Sequence, residues 1–251
     1  MAGTDPEDPK TLKIPQDMEL DFFSNLSKEG LQGKTVGLMS ASTSEPEEKR
    51  LIAKAKKVLI AAGAKVIMLA DKTNYPGEEE FFVLLYEFRE GINKYLSQGF
   101  DQPKNLKELI DFNLKNKNTV LTYFDQNIFL FSEETFGQKE KYLTALKKTK
   151  SVSTEHIDNL LKKEELSAIV GLTRGPAWEI DYEGGDETAS QKQLSWGMGG
   201  YAAMAGYPHI TIPLGFVKGL PVGLSFISSA WRDKEVIEMA YAFEQKNKPL
   251  Q

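Results

Sequence analysis

Two imidazoles, His156 and His209, and no cysteine make up the chain's supply of histidine bases and soft metal ligands. A triad-type serine hydrolase needs a hydroxyl, a histidine base and a carboxylate that orients it. His156 lies between Thr-Glu and Ile-Asp in a helix-forming stretch, and His209 follows Pro208 at a turn, so the sequence sets neither beside a nucleophile. No Gly-x-Ser-x-Gly elbow occurs. Ser228-Ser229 follows an apolar strand and reads as the entry turn of a helix. The pairs Glu47-Glu48 and Glu133-Glu134, the run Glu78-Glu79-Glu80, and Lys147-Lys148 and Lys162-Lys163 read as solvated helix faces. Asp181, Glu183, Asp186 and Glu187 gather in one stretch, where a helix N-terminus accounts for two of them. Gly197-Met-Gly-Gly does not follow a strand as a phosphate cradle would. The residues supply no catalytic group, no metal site and no cofactor site.

Composition narrows the class. A chain of 251 residues with 41% hydrophobic and 27% charged residues has the make-up of a globular protein with a sizeable core. Lys and Arg number 31 against 36 Asp and Glu, a net charge of −5, which gives no concentrated basic surface for a nucleic acid. No apolar run approaches the roughly 18 residues of a membrane span. The N-terminal residues lack the basic and apolar regions of a signal peptide, and the cytoplasm is the expected location.

The elements that must position any site follow from hydrophobic periodicity. Residues 1–32, rich in Pro and Asp, form an irregular lead-in. Short apolar runs predict strands near 34–39, 64–69, 167–172, 209–213 and 221–227. Between the first two, Leu51, Ala55, Val58, Leu59 and Ala62 keep helical spacing, with Ser44 as cap, Pro46 in the first turn and Gly63 at the end. Strand, helix and strand within about forty residues form a βαβ unit with parallel strands. Further helices are expected over 78–96, whose stripe of Phe81, Phe82, Leu84, Leu85, Phe88, Ile92 and Leu96 should be core, and over 106–115, 123–134, 138–148, 154–163 and 233–246. Residues 186–205 read as mostly helical. Gly206 should end that helix and Pro213 should cut off the fourth strand. The expectation is one mixed α/β domain over 1–251, a largely parallel sheet flanked by helices.

The run Tyr201-Ala-Ala-Met-Ala-Gly-Tyr-Pro-His-Ile-Thr-Ile-Pro-Leu-Gly-Phe-Val-Lys-Gly-Leu-Pro-Val-Gly-Leu-Ser-Phe-Ile227 resembles the C-terminal signature of the amidase signature family, Ser-Ser-Lys hydrolases of carboxamides. Ala2-Gly-Thr-Asp-Pro-Glu-Asp-Pro-Lys-Thr11 resembles the segment just after that family's catalytic core. Lys34-Thr-Val-Gly-Leu is similar to the strand opening its second half. Tyr86-Glu-Phe-Arg-Glu-Gly-Ile-Asn-Lys-Tyr-Leu96, Glu134-Thr-Phe-Gly-Gln138 and Ala168-Ile-Val-Gly-Leu-Thr-Arg-Gly-Pro-Ala-Trp-Glu-Ile-Asp181 resemble the peptide-amidase-like branch. Gly171-Leu172-Thr173 departs from that pattern, since relatives often carry Ala-Pro-Thr there.

The resemblance implies the C-terminal half of an amidase signature fold acting on a small-molecule or peptide amide. In the family a serine attacks the amide carbonyl, a second serine relays the proton and a buried lysine is the base. Those groups precede the position matching Ala2, so no catalytic role transfers to a residue here, and the chain alone is expected to be inactive. Thr173, Arg174 and Trp178 follow the carboxyl end of a buried strand, where α/β sheets present ligands, and are the expected wall of the substrate cleft. Self-association through surface that the missing half covers is expected. The alternatives are a non-catalytic α/β binding or regulatory module and a component of a tRNA-dependent amidotransferase.

Overall fold

The computed structural model describes residues 3–24, 26–70, 73–100, 103–194 and 196–247. In chain order the elements are β1 (Thr35–Met39), α1 (Pro46–Ala61), β2 (Lys65–Leu69), α2 (Gly77–Ser97), α3 (Leu106–Lys115), α4 (Lys117–Val120), α5 (Asn127–Glu133) and α6 (Lys139–Lys163). Then come β3 (Ala168–Leu172), α7 (Gly185–Ser190), α8 (Tyr201–Ala205), β4 (His209–Val217), β5 (Leu220–Ile227) and α9 (Asp233–Lys246). The chain forms two compact units: Met1–Thr73, Ser153–Ala177 and Leu194–Gln251 make the first, Asn74–Val152 and Trp178–Gln193 the second.

The first unit holds a five-stranded sheet in the order β2-β1-β3-β5-β4. β1 pairs in parallel with β2 and β3, whereas β5 is antiparallel to both β3 and β4, so only β5 runs against the rest. All five expected strands are present, and the sheet is mixed and largely parallel as expected. β3 is buried along its whole length, as a strand covered on both faces must be. Leu38, Val170, Leu224 and Phe226 pack with Leu51 and Leu59 of α1 and Met239 and Phe243 of α9. On the other face Leu69, Ile169 and Ile227 meet Ile157 and Leu161 of α6 and Ala202 and Ala205 of α8.

Three details differ from the sequence expectation. Pro213 does not end the fourth strand: β4 runs on to Val217 with a register shift between Pro213 and Gly215. An edge strand tolerates a missing N–H, and the irregularity absorbs the proline. Ser44 is not the cap of α1. Glu45 holds that position without a side-chain hydrogen bond, and the loop is tied instead by the buried Glu48 carboxylate, which accepts from the N–H and hydroxyl of Ser42 (2.8 Å each) and of Thr43 (2.8 and 2.6 Å). The described residues of 191–200 are not helical, and α7 and α8 lie on either side of them.

The proline- and aspartate-rich lead-in is locally ordered. Asp5 and Asp8 accept from the N–H groups two residues on, Glu7 and Lys10, at 2.9 Å each. The Thr11 hydroxyl accepts from the Asp5 N–H at 2.7 Å and lies 2.8 Å from the Asp8 carbonyl. Ala2, which opens the family-like motif, lies outside the described residues.

Gly206 ends α8 at φ 72°, ψ 34°, with open space where a Cβ would stand. Gly206→Ala is therefore expected to cost conformational energy alone, about 1 kcal/mol. In a unit of this size that is a fall in Tm of about 2–4 °C. An unchanged melting curve would contradict the left-handed cap.

The second unit is helical. α2 buries Val83 and Leu85, and Arg89 reaches Glu133 of α5 at 3.2 Å with its guanidinium 4.7 Å from the Phe136 ring. The aromatic stripe is only partly core: Phe81, Leu84 and Phe88 are exposed. Phe88 instead stacks on Phe129 at 5.6 Å, and the Lys141 ammonium sits 4.0 Å from the Phe82 ring.

Candidate functional site

β1 continues to β2 through α1, and β2 continues to β3 through a chain segment that includes α6. Since β2 and β3 flank β1, the chain leaves β1 in one direction and returns on its other side. α1 packs on one face of the sheet and the end of α6 on the other. Such an arrangement opens a crevice at the carboxyl ends of the two strands where the direction switches, here β1 and β3. A cavity of about 290 Å³ lies there, lined by Met39 of β1, Ser42 after it, Glu48 and Ile52 of α1, Leu172 of β3 and Tyr201 of α8.

Thr173 follows β3 at this rim. Its N–H donates to the Gly223 carbonyl at 2.9 Å, and its carbonyl accepts from the Gly199 N–H at 3.2 Å. The second contact requires glycine: a Cβ on Gly197, at φ 100°, would fall 2.5 Å from the Thr173 carbonyl oxygen, and one on Gly199 would fall 3.0 Å from it. The described part of the loop that the sequence suggested was helical is thus held, through Gly197 and Gly199, in a non-helical conformation against the end of β3.

The Thr173 hydroxyl lies 2.8 Å from the Ser225 hydroxyl of β5 and 3.2 Å from the Thr211 hydroxyl of β4. Ser225 in turn lies 2.7 Å from His209 Nε2. Gly223 makes room for this cluster, since a Cβ there would meet Thr211 Cγ2 at 2.5 Å and Thr173 Oγ1 at 3.0 Å. Ser225 is fully buried, while Thr211 and His209 are exposed. Neighbouring side chains partly desolvate the imidazole and lower the His209 pKa from its ordinary value.

Arg174 is exposed beside Thr173 in the first unit. Trp178, 38% exposed, belongs to the second unit. His156 is a helical residue whose ring contacts the Thr73 hydroxyl at 2.8 Å. Asp181 accepts from the Gly184 N–H at 2.8 Å and from the Lys192 ammonium at 3.0 Å. These contacts, the Gly184 N–H first, hold its pKa below the ordinary carboxylate value. Among the described residues no group of three or more His, Asp or Glu is placed to hold a metal ion, and no helix is long and apolar enough to cross a membrane.

The sequence placed Thr173 at the end of a strand but did not bring Ser225, Thr211 and His209 together with it. Their signal was alternation: His209 and Thr211 on β4 and Ser225 on β5 share the face opposite Ile212, Leu224 and Phe226.

An α/β fold with a ligand crevice at the strand ends describes many families, and the comparisons with known proteins narrow it to one. The Amidase family model matches residues 1–237, and the chain belongs to that family. The crystal structure of native peptide amidase from Stenotrophomonas maltophilia superposes with a TM-score of 0.86 at 31% identity, over 99% of this chain and 50% of that one. A probable amidase of Arabidopsis thaliana is 30% identical over 98% of this chain and 44% of its own length. A glutamyl-tRNA(Gln) amidotransferase subunit from Thermosynechococcus vestitus is 23% identical over 98% of this chain and 51% of its own length. The chain thus spans about half the length of the relatives it matches.

Proposed function

We propose that this chain is the C-terminal part of an amidase that hydrolyses linear carboxamides, peptide amides foremost. Water and the amide give a carboxylic acid and ammonia or an amine. In this reading the serine nucleophile, the relaying serine and the lysine base lie outside these 251 residues. The chain contributes substrate-cleft wall through Thr173 and Arg174 of the first unit, and Trp178 of the second is a separate candidate for substrate contact. The observation that carries the reading is the likeness to a peptide amidase over 99% of this chain and 50% of that enzyme, at 31% identity. The absence from the sequence of a Gly-x-Ser-x-Gly elbow agrees with it. An amidotransferase component is the second reading, supported by a relative at 23% identity. The higher identity to the peptide amidase favours the first.

The purified chain is expected to release no ammonia above blank from a C-terminally amidated peptide. A chimera that joins the first half of the Stenotrophomonas maltophilia peptide amidase to this chain is expected to release it. Turnover by the chain alone, abolished by a serine-directed phosphonate, overturns the reading. So does a chimera that melts cooperatively yet hydrolyses nothing.

A further inference from the structure

The cavity at the carboxyl ends of β1 and β3 is assembled from the first unit alone. Its buried lining is Ile52, Leu172, Met198 and Glu48, and Met39 beside them is half-buried. Glu48 is the one charged side chain that lines it among the described residues. Each Glu48 oxygen already accepts from one N–H and one hydroxyl, those of Ser42 at Oε1 and those of Thr43 at Oε2. A carboxylate offers about four lone-pair sites, so none is left for a ligand donor. The same bonds consume the N–H groups of Ser42 and Thr43, so an anion finds no donor in them and meets a like charge. A cation would shed its hydration and gain no hydrogen bond from that carboxylate. An uncharged apolar group loses nothing of this kind and is favoured by burial.

One position makes the room. Gly171 lies in β3, where a Cβ would stand 2.4 Å from Met198 Sδ and 3.1 Å from Cβ and Cγ of Met39. The bare backbone lets the Met198 thioether lie directly against the strand, while the Met198 N–H donates to the Leu172 carbonyl at 3.0 Å. Met198 is thus pinned at its backbone and adaptable along its unbranched side chain. Two thioethers in one lining suit a ring, because sulfur contacts aromatic edges favourably and methionine adapts to their outline. The volume is about 290 Å³, and an apolar cavity of about 150 Å³ is enough to hold a benzene ring. The space takes a single ring with a short substituent.

We propose that this cavity is a binding pocket for an uncharged group built on one apolar ring, and that Gly171 is its specificity-determining residue, acting through Met198. The proposal goes beyond the amidase reading and does not rest on it, because it places a ring and no reacting group.

The test uses the full 251-residue chain with methyl-labelled methionine. Met39→Leu and Met198→Leu assign the two signals. The probes are benzyl alcohol, benzoate and benzylamine at neutral pH, which carry the same ring with no charge, a negative charge and a positive charge. Benzyl alcohol is expected to shift the Met39 and Met198 methyl signals saturably and leave Met18 unmoved, with both charged probes binding at least about tenfold more weakly. Gly171→Ala pushes the Met198 thioether into the cavity and is expected to weaken benzyl alcohol binding about tenfold. Adding Met198→Ala removes the collision and is expected to bring binding back to within about threefold of wild type. A loss of packing alone would not be repaired by a second deletion. Ala70 is an exposed lining residue, where the fold is least at risk. Ala70→Phe is expected to occlude the cavity and abolish binding, and it carries the test if Gly171→Ala does not fold. Equal binding of the three probes, no saturable shift at Met39 and Met198, a shift of Met18 as large as theirs, or a Gly171→Ala or Ala70→Phe chain that binds like wild type overturns the pocket. A double variant that stays as weak as Gly171→Ala overturns the role given to Gly171. The chimera separates this from the wider reading. Peptide-amide hydrolysis by the chimera, with Met39 and Met198 unmoved by benzyl alcohol, sinks the pocket and leaves the amidase reading standing. An inactive chimera together with binding of the uncharged probe alone at Met39 and Met198 does the reverse.

Discussion

Phe226→Ala is expected to remove about 3–5 kcal/mol of stability from the first unit, the cost usual for deleting a buried aromatic ring. Phe226 is 0% exposed on β5 and meets Phe243 of α9 edge-on, with ring centroids 5.8 Å apart. It lies within the cluster that joins the sheet to α1 and α9, so its removal leaves a cavity between three elements that cannot all close on it. At about 2–4 °C per kcal/mol, the melting temperature should fall by about 6–20 °C. The loss also bears on the site, because the preceding residue, Ser225, contacts Thr173 and His209 from the opposite face of the same strand. Urea denaturation of wild type and variant measures the difference. A loss below about 1 kcal/mol would mean that the core repacks freely around this position.

The sheet was legible in the sequence because its strands are continuous apolar runs between turn signals. Ala168–Leu172 is the clearest case, buried at every residue. Helix boundaries were less legible where polar residues interrupt the pattern. Residues 149–153 read as a break, yet α6 passes through them. The hydroxyls there return to the helix itself: Thr149 donates to the Leu146 carbonyl at 3.0 Å and Ser151 to the Lys148 carbonyl at 3.3 Å. The opposite error at 191–200 arose because the need for a non-helical loop lies elsewhere, in the Thr173 carbonyl that Gly197 and Gly199 approach. The site followed the same rule. Thr173 could be found from its place after a strand. Its partners Ser225 and Thr211 stand 52 and 38 residues away and become neighbours only through the β3-β5-β4 order. No local pattern encodes that order.

Glu48→Gln is expected to cost about 2 kcal/mol near neutral pH, and the cost should shrink as the solution becomes acid. The wild-type carboxylate, 2% exposed, accepts from two N–H groups and two hydroxyls of Ser42 and Thr43. A glutamine keeps the shape but turns one acceptor oxygen into an NH₂ group. The Thr43 hydroxyl can rotate to accept from it. The Thr43 N–H, or the Ser42 N–H if the amide flips, cannot, and a buried donor left without a partner costs about 1–3 kcal/mol. Burial by itself raises the Glu48 pKa, but the hydrogen bonds from Thr43 and Ser42 outweigh it, and the net shift is downward from 4.5. With the folded value below the unfolded one, the ionised carboxylate contributes its full stabilisation above about pH 4.5 and loses it as the pH falls through the folded value. The stability curves of wild type and Glu48→Gln should therefore be well separated at pH 7 and converge below pH 4.5, a comparison that thermal melts across that range can make. Curves that stay parallel would show that the charge of Glu48 does not hold the loop. Converging curves would show that the Ser40–Thr43 rim of the crevice at the ends of β1 and β3 is set by one buried anion, which already occupies the N–H groups that a loop at this place in an α/β sheet otherwise offers to a ligand.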